Sequence, residues 1–415
     1  MRALRGDVRG CAVGDGSECL APPAGRIVYL ESIRGLAALQ VLLLHTFSAF
    51  APSLVFSVTP GTPAEAVHFS PLFFFYDGLF AVYLFFTLSG FVLTPAFARW
   101  SDRPVALAAS RWIRLATPAL AAVTIAMAVK IAVGPAPAEA AQAIGLDWFV
   151  KAWNPPTQPT YFLFDALVQG LWTGYSNTSV LSGAGLPAAI QPVTASYLPP
   201  LWTLSVEMQG SLLVIALVIA SRRSALLWRF LLVFFGVFLL RTYFLCFLLG
   251  HVLAQCDARA LLRRAPAGLL FGLAATGILL SLAEEFGHVA ALASCRSSRP
   301  VWAPCAPHAF KMVGAMAVFV AALGASGLER LLNRRPFIVL GRLSFSLYLI
   351  HWPIVCALCA ALYVAVGGGA DSLMGRTVAI AAAIVLSLAG ASAFSRVDSW
   401  AIASSQRLRA HLARG

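Results

Sequence analysis

Arg34 and His45 stand eleven residues apart in the apolar segment YLESIRGLAALQVLLLHT. Eleven residues of α-helix turn about 20° past three full turns and rise about 16 Å, so the two side chains share one face. A neutral imidazole inside an apolar span is a suitable general base, and a fixed guanidinium suits an anion. The spacing describes a base and an anion anchor about half a bilayer apart. His45 is expected near mid-depth and Arg34 near the inner end. That arrangement fits a long anionic donor that enters from one face and reacts deep inside. The plainer alternative is a histidine satisfied by a neighbouring helix and an arginine that marks a boundary.

Other polar groups lie in comparable settings, and ionisable residues at membrane depth are costly enough to point to function. In SRWIR, Arg111 and Arg114 are three residues apart and share a helix face, either to hold phosphate or only to fix topology. In LPPLWTLSVEMQGSLL, Trp202, Ser205 and Glu207 enter an apolar run behind Pro199-Pro200. A carboxylate roughly two turns deep needs a partner or a proton. In SFSLYLIHWPIV, His351 lies inside a span with Tyr348 three residues earlier and Pro353 just beyond. Pairing Glu207 with His351 or with His45 would satisfy both members, and the sequence does not choose between them. Ser89-Gly90 in FFTLSGFVLT reads as a helix-packing site.

The elements that must position these groups follow from composition. Of the 415 residues, 60% are apolar and 11% charged, too few charges to solvate the surface of a soluble fold. The fold class is all-α, a polytopic membrane protein. Runs near 35–55, 72–97, 115–133, 201–220, 266–283, 311–327, 343–366 and 373–394 are long enough to span. The stretch 226–254 is too long for one crossing and short for two; it reads as two short helices meeting near Arg241. The excess of 30 Lys+Arg over 17 Asp+Glu would suggest nucleic acid in a soluble protein, but here it marks cytoplasmic loops. About ten transmembrane helices with both termini cytoplasmic place nearly all arginine clusters inside. Residues 1–26 read as a disordered cytoplasmic arm, 27–398 as the membrane domain and 399–415 as a basic cytoplasmic tail. One long external loop, 134–200, is rich in Pro, Gly, Asn, Thr and aromatics, which suit either an interfacial belt or stacking on sugars. Cys356 and Cys359 sit in a helical run and do not read as a metal site. Cys295 and Cys305 share a polar loop where a disulfide can form if it faces an oxidising compartment.

The ordered segments YLESIRGLAALQVLLLHT, FFTLSGFVLT, SRWIRLATP, PLWTLSVEMQ and LGRLSFSLYLIHWP resemble acyltransferase family 3, bacterial multi-pass O-acyltransferases, from about Tyr29 to Val397. The resemblance implies a donor, acyl-CoA (acetyl-CoA by default), whose phosphates lie near Arg111, Arg114 and Arg34, with no bound cofactor. It implies an extracytoplasmic glycan, glycolipid or secreted hydroxyl compound as acceptor, and the bacterial inner membrane as location. His45 would be the base, Glu207 with His351 would orient the acceptor or tune His45, and Trp202, Ser205 and Tyr348 would support the acceptor or the scaffold. Two departures stand out: Ser110 replaces the first arginine of the usual pair, and Tyr83 stands where an acidic residue is frequent, although Asp77 is near. Two other classes are weighed against this. A proton-coupled transporter or lipid flippase would use the buried His and Glu as proton carriers, and a membrane scaffold would leave them idle.

Overall fold

In hydrocarbon a chain must close its backbone hydrogen bonds within each segment, and among the described residues every regular element is helical. The computed structural model describes residues 27–56, 61–145, 159–176, 191–240, 242–287, 308–369 and 372–412. The expectations for the 1–26 arm, Arg241 and the Cys295–Cys305 bridge lie outside them.

The principal helices are α1 (Val28–Phe50), α2 (Gly78–Ala98), α3 (Pro104–Val133), α4 (Trp202–Arg223), α5 (Ala225–Phe238), α6 (Phe244–Gln255), α7 (Ala267–Glu285), α8 (Ala309–Gly324), α9 (Arg335–Pro353) and α10 (Leu373–Leu412). Seven helical segments among the described residues are long and apolar enough to cross a bilayer. An eighth is α8 taken with Ser326–Leu332, which is bent from it by 89°. The stretch 226–254 does divide into two short helices, α5 and α6. α5 has no buried residue and turns Leu226, Phe230, Val233 and Val237 outward, as a helix bathed in lipid would.

Two boundaries differ from expectation. α3 begins at Pro104, so Arg111 and Arg114 lie inside the helix; carboxylates from other helices receive both (below), which lets an apolar helix carry them. α10 runs 40 residues through the expected tail. No Gly or Pro interrupts residues 395–412, Ala401 is fully buried, and Arg409 covers the Trp100 ring at 5.0 Å.

α1 and α9 pack by close backbone approach. A Cβ on Gly35 would lie 2.6 Å from the Gly341 nitrogen, and one on Gly341 would lie 2.6 Å from the Glu31 carbonyl carbon. Small residues allow such crossings where no hydrophobic force drives helices together. His45 and His351 each lie ten residues beyond these glycines. The two helices therefore run parallel in one register, and the imidazoles arrive at the same level. A second crossing of this kind joins α2 to α6: a Cβ on Gly250 would lie 2.2 Å from the Thr87 carbonyl oxygen. Pro353, lacking an N–H, is followed by one wide turn, Ile354–Cys359, before the helix resumes at Ala360–Ala365.

Lys311, near the start of α8, is 1% exposed. Its ammonium meets Asp77 at 2.9 Å and Glu285 at 2.6 Å. Asp77 also caps α2 by accepting from the Phe80 N–H at 3.0 Å, so one carboxylate ties α2, α7 and α8 together.

Replacing Gly341 by Leu should force α1 and α9 apart at an overpacking cost of at least ~1–3 kcal/mol. A lowered thermal midpoint in detergent checks this, while Gly327→Leu, where a Cβ meets nothing within 4 Å, should leave the midpoint nearly unchanged.

Candidate functional site

Parallel packing of α1 on α9 places His45 Nδ1 at 2.9 Å from His351 Nε2, with the rings stacked at 5.1 Å between centroids. His351 is fully buried, and its Nδ1 lies 3.0 Å from the Leu347 carbonyl one turn back. A carbonyl oxygen only accepts, so His351 Nδ1 carries the proton and donates to it. In a neutral His351 the Nε2 is then bare and accepts from His45 Nδ1–H. The remaining nitrogen, His45 Nε2, is left with a free lone pair. One backbone carbonyl thus fixes the tautomers of both rings.

His45 borders a cleft of about 230 Å³, walled also by Leu44, Leu79, Pro199, Trp202 and Trp352. The Trp352 ring packs perpendicular to His45, with the centroids 5.0 Å apart. Val41, Val82 and Tyr348 also line a second, narrow apolar cavity of about 30 Å³, bounded by Ala37, Ala38, Ala81, Phe85 and Glu207. Beyond Phe85 stands Arg34, its guanidinium 4.9 Å from that ring. The α1 face that carries His45 thus lines both cavities through Ala37, Ala38, Val41 and Leu44, and Arg34 lies beyond them, behind Phe85. The place of His45 along the helix differs from expectation: it is the eighteenth of the 23 residues of α1, nearer the C-terminal end than the middle, because the helix begins at Val28.

Neither imidazole pairs with Glu207. Its carboxylate instead forms a short, charge-assisted contact with Arg111, and Arg111 Nε donates to Ser211 Oγ at 2.8 Å. The reason is geometric: Glu207 lies about four turns from the Arg223 end of α4, facing α3, whereas the histidines meet on α1 and α9. Arg114 pairs with Asp398 of α10 at 2.6 Å and lies over Phe345. Arg34 makes no ion pair among the described residues, although Glu207 and Arg114 lie within electrostatic reach. Of the three expected anion-binding arginines, two are thus already matched by carboxylates.

Tyr348 accepts from Thr203 Oγ at 2.8 Å and donates to the Pro200 carbonyl at 3.2 Å, anchoring the start of α4 over the cleft. Trp202 packs on Tyr243 at 5.3 Å and walls the cleft. Ser205 returns its hydroxyl to the Trp202 carbonyl at 2.8 Å and does not face the cleft.

Sequence reasoning passed over Asp165, the sole charge between Tyr161 and Thr173, and that isolation was the available signal. Its buried carboxylate accepts from Tyr175 Oη at 2.7 Å, Ser196 Oγ at 3.0 Å and the Tyr197 N–H at 2.9 Å. Burial raises this carboxyl to about 6, against the pull of those donors. The clamp holds the segment that leads into Pro199 and Pro200. Within the expected external loop, this is an ordered polar core.

Residues 27–396 match the model of an acyltransferase domain, that of acyltransferase family 3. No curated protein and no solved structure matches the chain.

Glu207→Ala should strand the Arg111 guanidinium, at a cost of ~3–5 kcal/mol for a buried pair, read as a lower thermal midpoint. Arg111→Met combined with Glu207→Leu should recover most of the loss.

Proposed function

Because the chain belongs to acyltransferase family 3, we propose that it transfers an acyl group, acetyl by default, from cytoplasmic acyl-CoA to a hydroxyl of an extracytoplasmic carbohydrate or related acceptor. The observation that carries this reading is the free Nε2 of His45 on a cleft that adjoins a narrow apolar cavity, with Arg34 behind Phe85 on the far side of that cavity. The family supplies the reaction class, acyl transfer within a multi-pass membrane protein. The residues supply the roles.

The donor's phosphates lie at the arginine-rich, cytoplasmic end, where Arg34 makes no ion pair among the described residues. Arg111 and Arg114, matched by Glu207 and Asp398, shape that mouth and add less net charge. The donor's slender arm follows the Ala37–Ala38–Ala81 passage, and its thioester reaches the His45 cleft. The acceptor approaches from the opposite side, over Trp202 and beneath the segment clamped by Asp165.

His45 Nε2 takes the acceptor hydroxyl proton as the oxygen attacks the thioester carbon. The imidazolium that forms keeps its Nδ1–H on His351, which spreads the new charge across two rings. The same proton then passes to the departing thiolate, so no acyl-enzyme is required. His351 orients the base, while Glu207 serves the scaffold by holding Arg111. In this reading the bacterial inner membrane is the site of action, because the donor and acceptor meet from opposite faces.

His45→Ala should lower acyl transfer from acetyl-CoA by ~10²–10⁴-fold, the usual worth of a positioned base. His351→Phe keeps a ring but removes the acceptor for Nδ1, and should cost less, about tenfold or more. Arg34→Ala should raise KM for acetyl-CoA with a smaller effect on kcat. Envelope glycans compared by mass spectrometry with and without the protein would identify the acceptor by a lost acyl mass. Full activity in His45→Ala would remove the base assignment.

A further inference from the structure

A buried polar atom without a partner calls for an explanation, and one such atom belongs to the wall of the His45 cleft. Trp352 lines the cleft and is 4% exposed, and its buried indole nitrogen has no hydrogen-bond partner among the described residues. Two of its polar neighbours in the cleft wall are already engaged. The Tyr348 hydroxyl is spent between Thr203 and Pro200, and His45 Nδ1 is spent on His351. Trp202 is half-buried against Tyr243. An N–H donor is therefore held in reserve on a ring whose centroid lies 5.0 Å from that of the base.

Acyl transfer needs a donor at that range. At the tetrahedral centre the attacking oxygen and the former carbonyl oxygen are bonded to the same carbon. One faces the base and the other needs a donor about 2.7–3.1 Å away. A base and a donor on adjacent rings satisfy both ends of one such centre. Leaving the N–H without a protein partner costs stability in the resting state, but requires no bond to be broken when negative charge develops.

We propose that the indole N–H of Trp352 is a catalytic donor that stabilises the oxyanion formed on the acyl carbonyl. The inference rests on the acyl-CoA reading above. As the acceptor oxygen bonds to the carbonyl carbon, its proton goes to His45 Nε2 and the carbonyl π pair moves onto oxygen, where Trp352 donates. Collapse restores the carbonyl, breaks the C–S bond and sends the proton from His45 to the sulfur. No oxidant, metal or further co-reactant is consumed.

The test compares the full-length wild type with Trp352→Phe and with 3-benzothienylalanine at position 352, which keeps the bicyclic shape and lacks the N–H. Release of CoA thiol from acetyl-CoA is followed in native membranes, with the host envelope glycans as acceptor. Both variants should lose about 100-fold in kcat, the lower end for one oxyanion donor, with KM for acetyl-CoA within about threefold. The pH profile should keep its shape, because the base is untouched. If Trp352→Phe fails to fold, the benzothienyl variant alone decides the matter. A benzothienyl variant with wild-type kcat overturns the donor role while leaving acyl transfer standing. A loss expressed in KM alone makes Trp352 a binding wall and also overturns it. Wild-type membranes that release no more thiol than membranes lacking the protein overturn the acyl-CoA reading and this inference with it.

Discussion

The contact on which the site depends is the approach of α1 to α9 at Gly35 and Gly341. Two backbones at that distance leave no room for a methyl group, so the helices can neither slide nor rotate without a clash. Ten residues farther along each, the imidazoles meet in the same register. A longer side chain at either glycine would separate the rings long before it disturbed their chemistry. The Leu347 carbonyl then sets the protons. Packing decides where the base is, and one hydrogen-bond acceptor decides which of its nitrogens is free.

Charge is handled sparingly. Hydrocarbon makes an unmatched ion expensive, and the described bundle matches Arg111 with Glu207, Arg114 with Asp398, and Lys311 with Asp77 and Glu285. These pairs join α3 to α4, α3 to α10, and α8 to α2 and α7. Arg34 differs in resting on the face of Phe85 instead of on a carboxylate. A cation–π contact is a weaker commitment than an ion pair, which leaves the guanidinium free to meet an anion at the mouth of the passage.

Much of the scaffold was legible in the chain itself. The helical runs, the division of 226–254 into α5 and α6, and the packing role of Gly90, where a Cβ would lie 2.3 Å from the Phe247 carbonyl oxygen, all follow from apolar length and small-residue placement. Helix ends were less legible. Arg111 and Arg114 read as a helix face just ahead of the 115–133 span, and nothing local reveals that Glu207 and Asp398 receive them inside it. The extent of α10 was hidden for a similar reason, since an arginine-rich amphipathic tail reads as solvated until Trp100 is seen beneath Arg409.

Sequence by itself determined the membrane class, the family, and the shared face of Arg34 and His45, because composition and helical period act within one segment. Only the tertiary structure decided the partners: His351 with His45, Arg111 with Glu207, and Trp352 left with a spare N–H. Pairing between segments depends on which backbones can approach and how each helix is rotated. Those quantities emerge only when residues far apart in the chain, such as Gly35 and Gly341, come into contact.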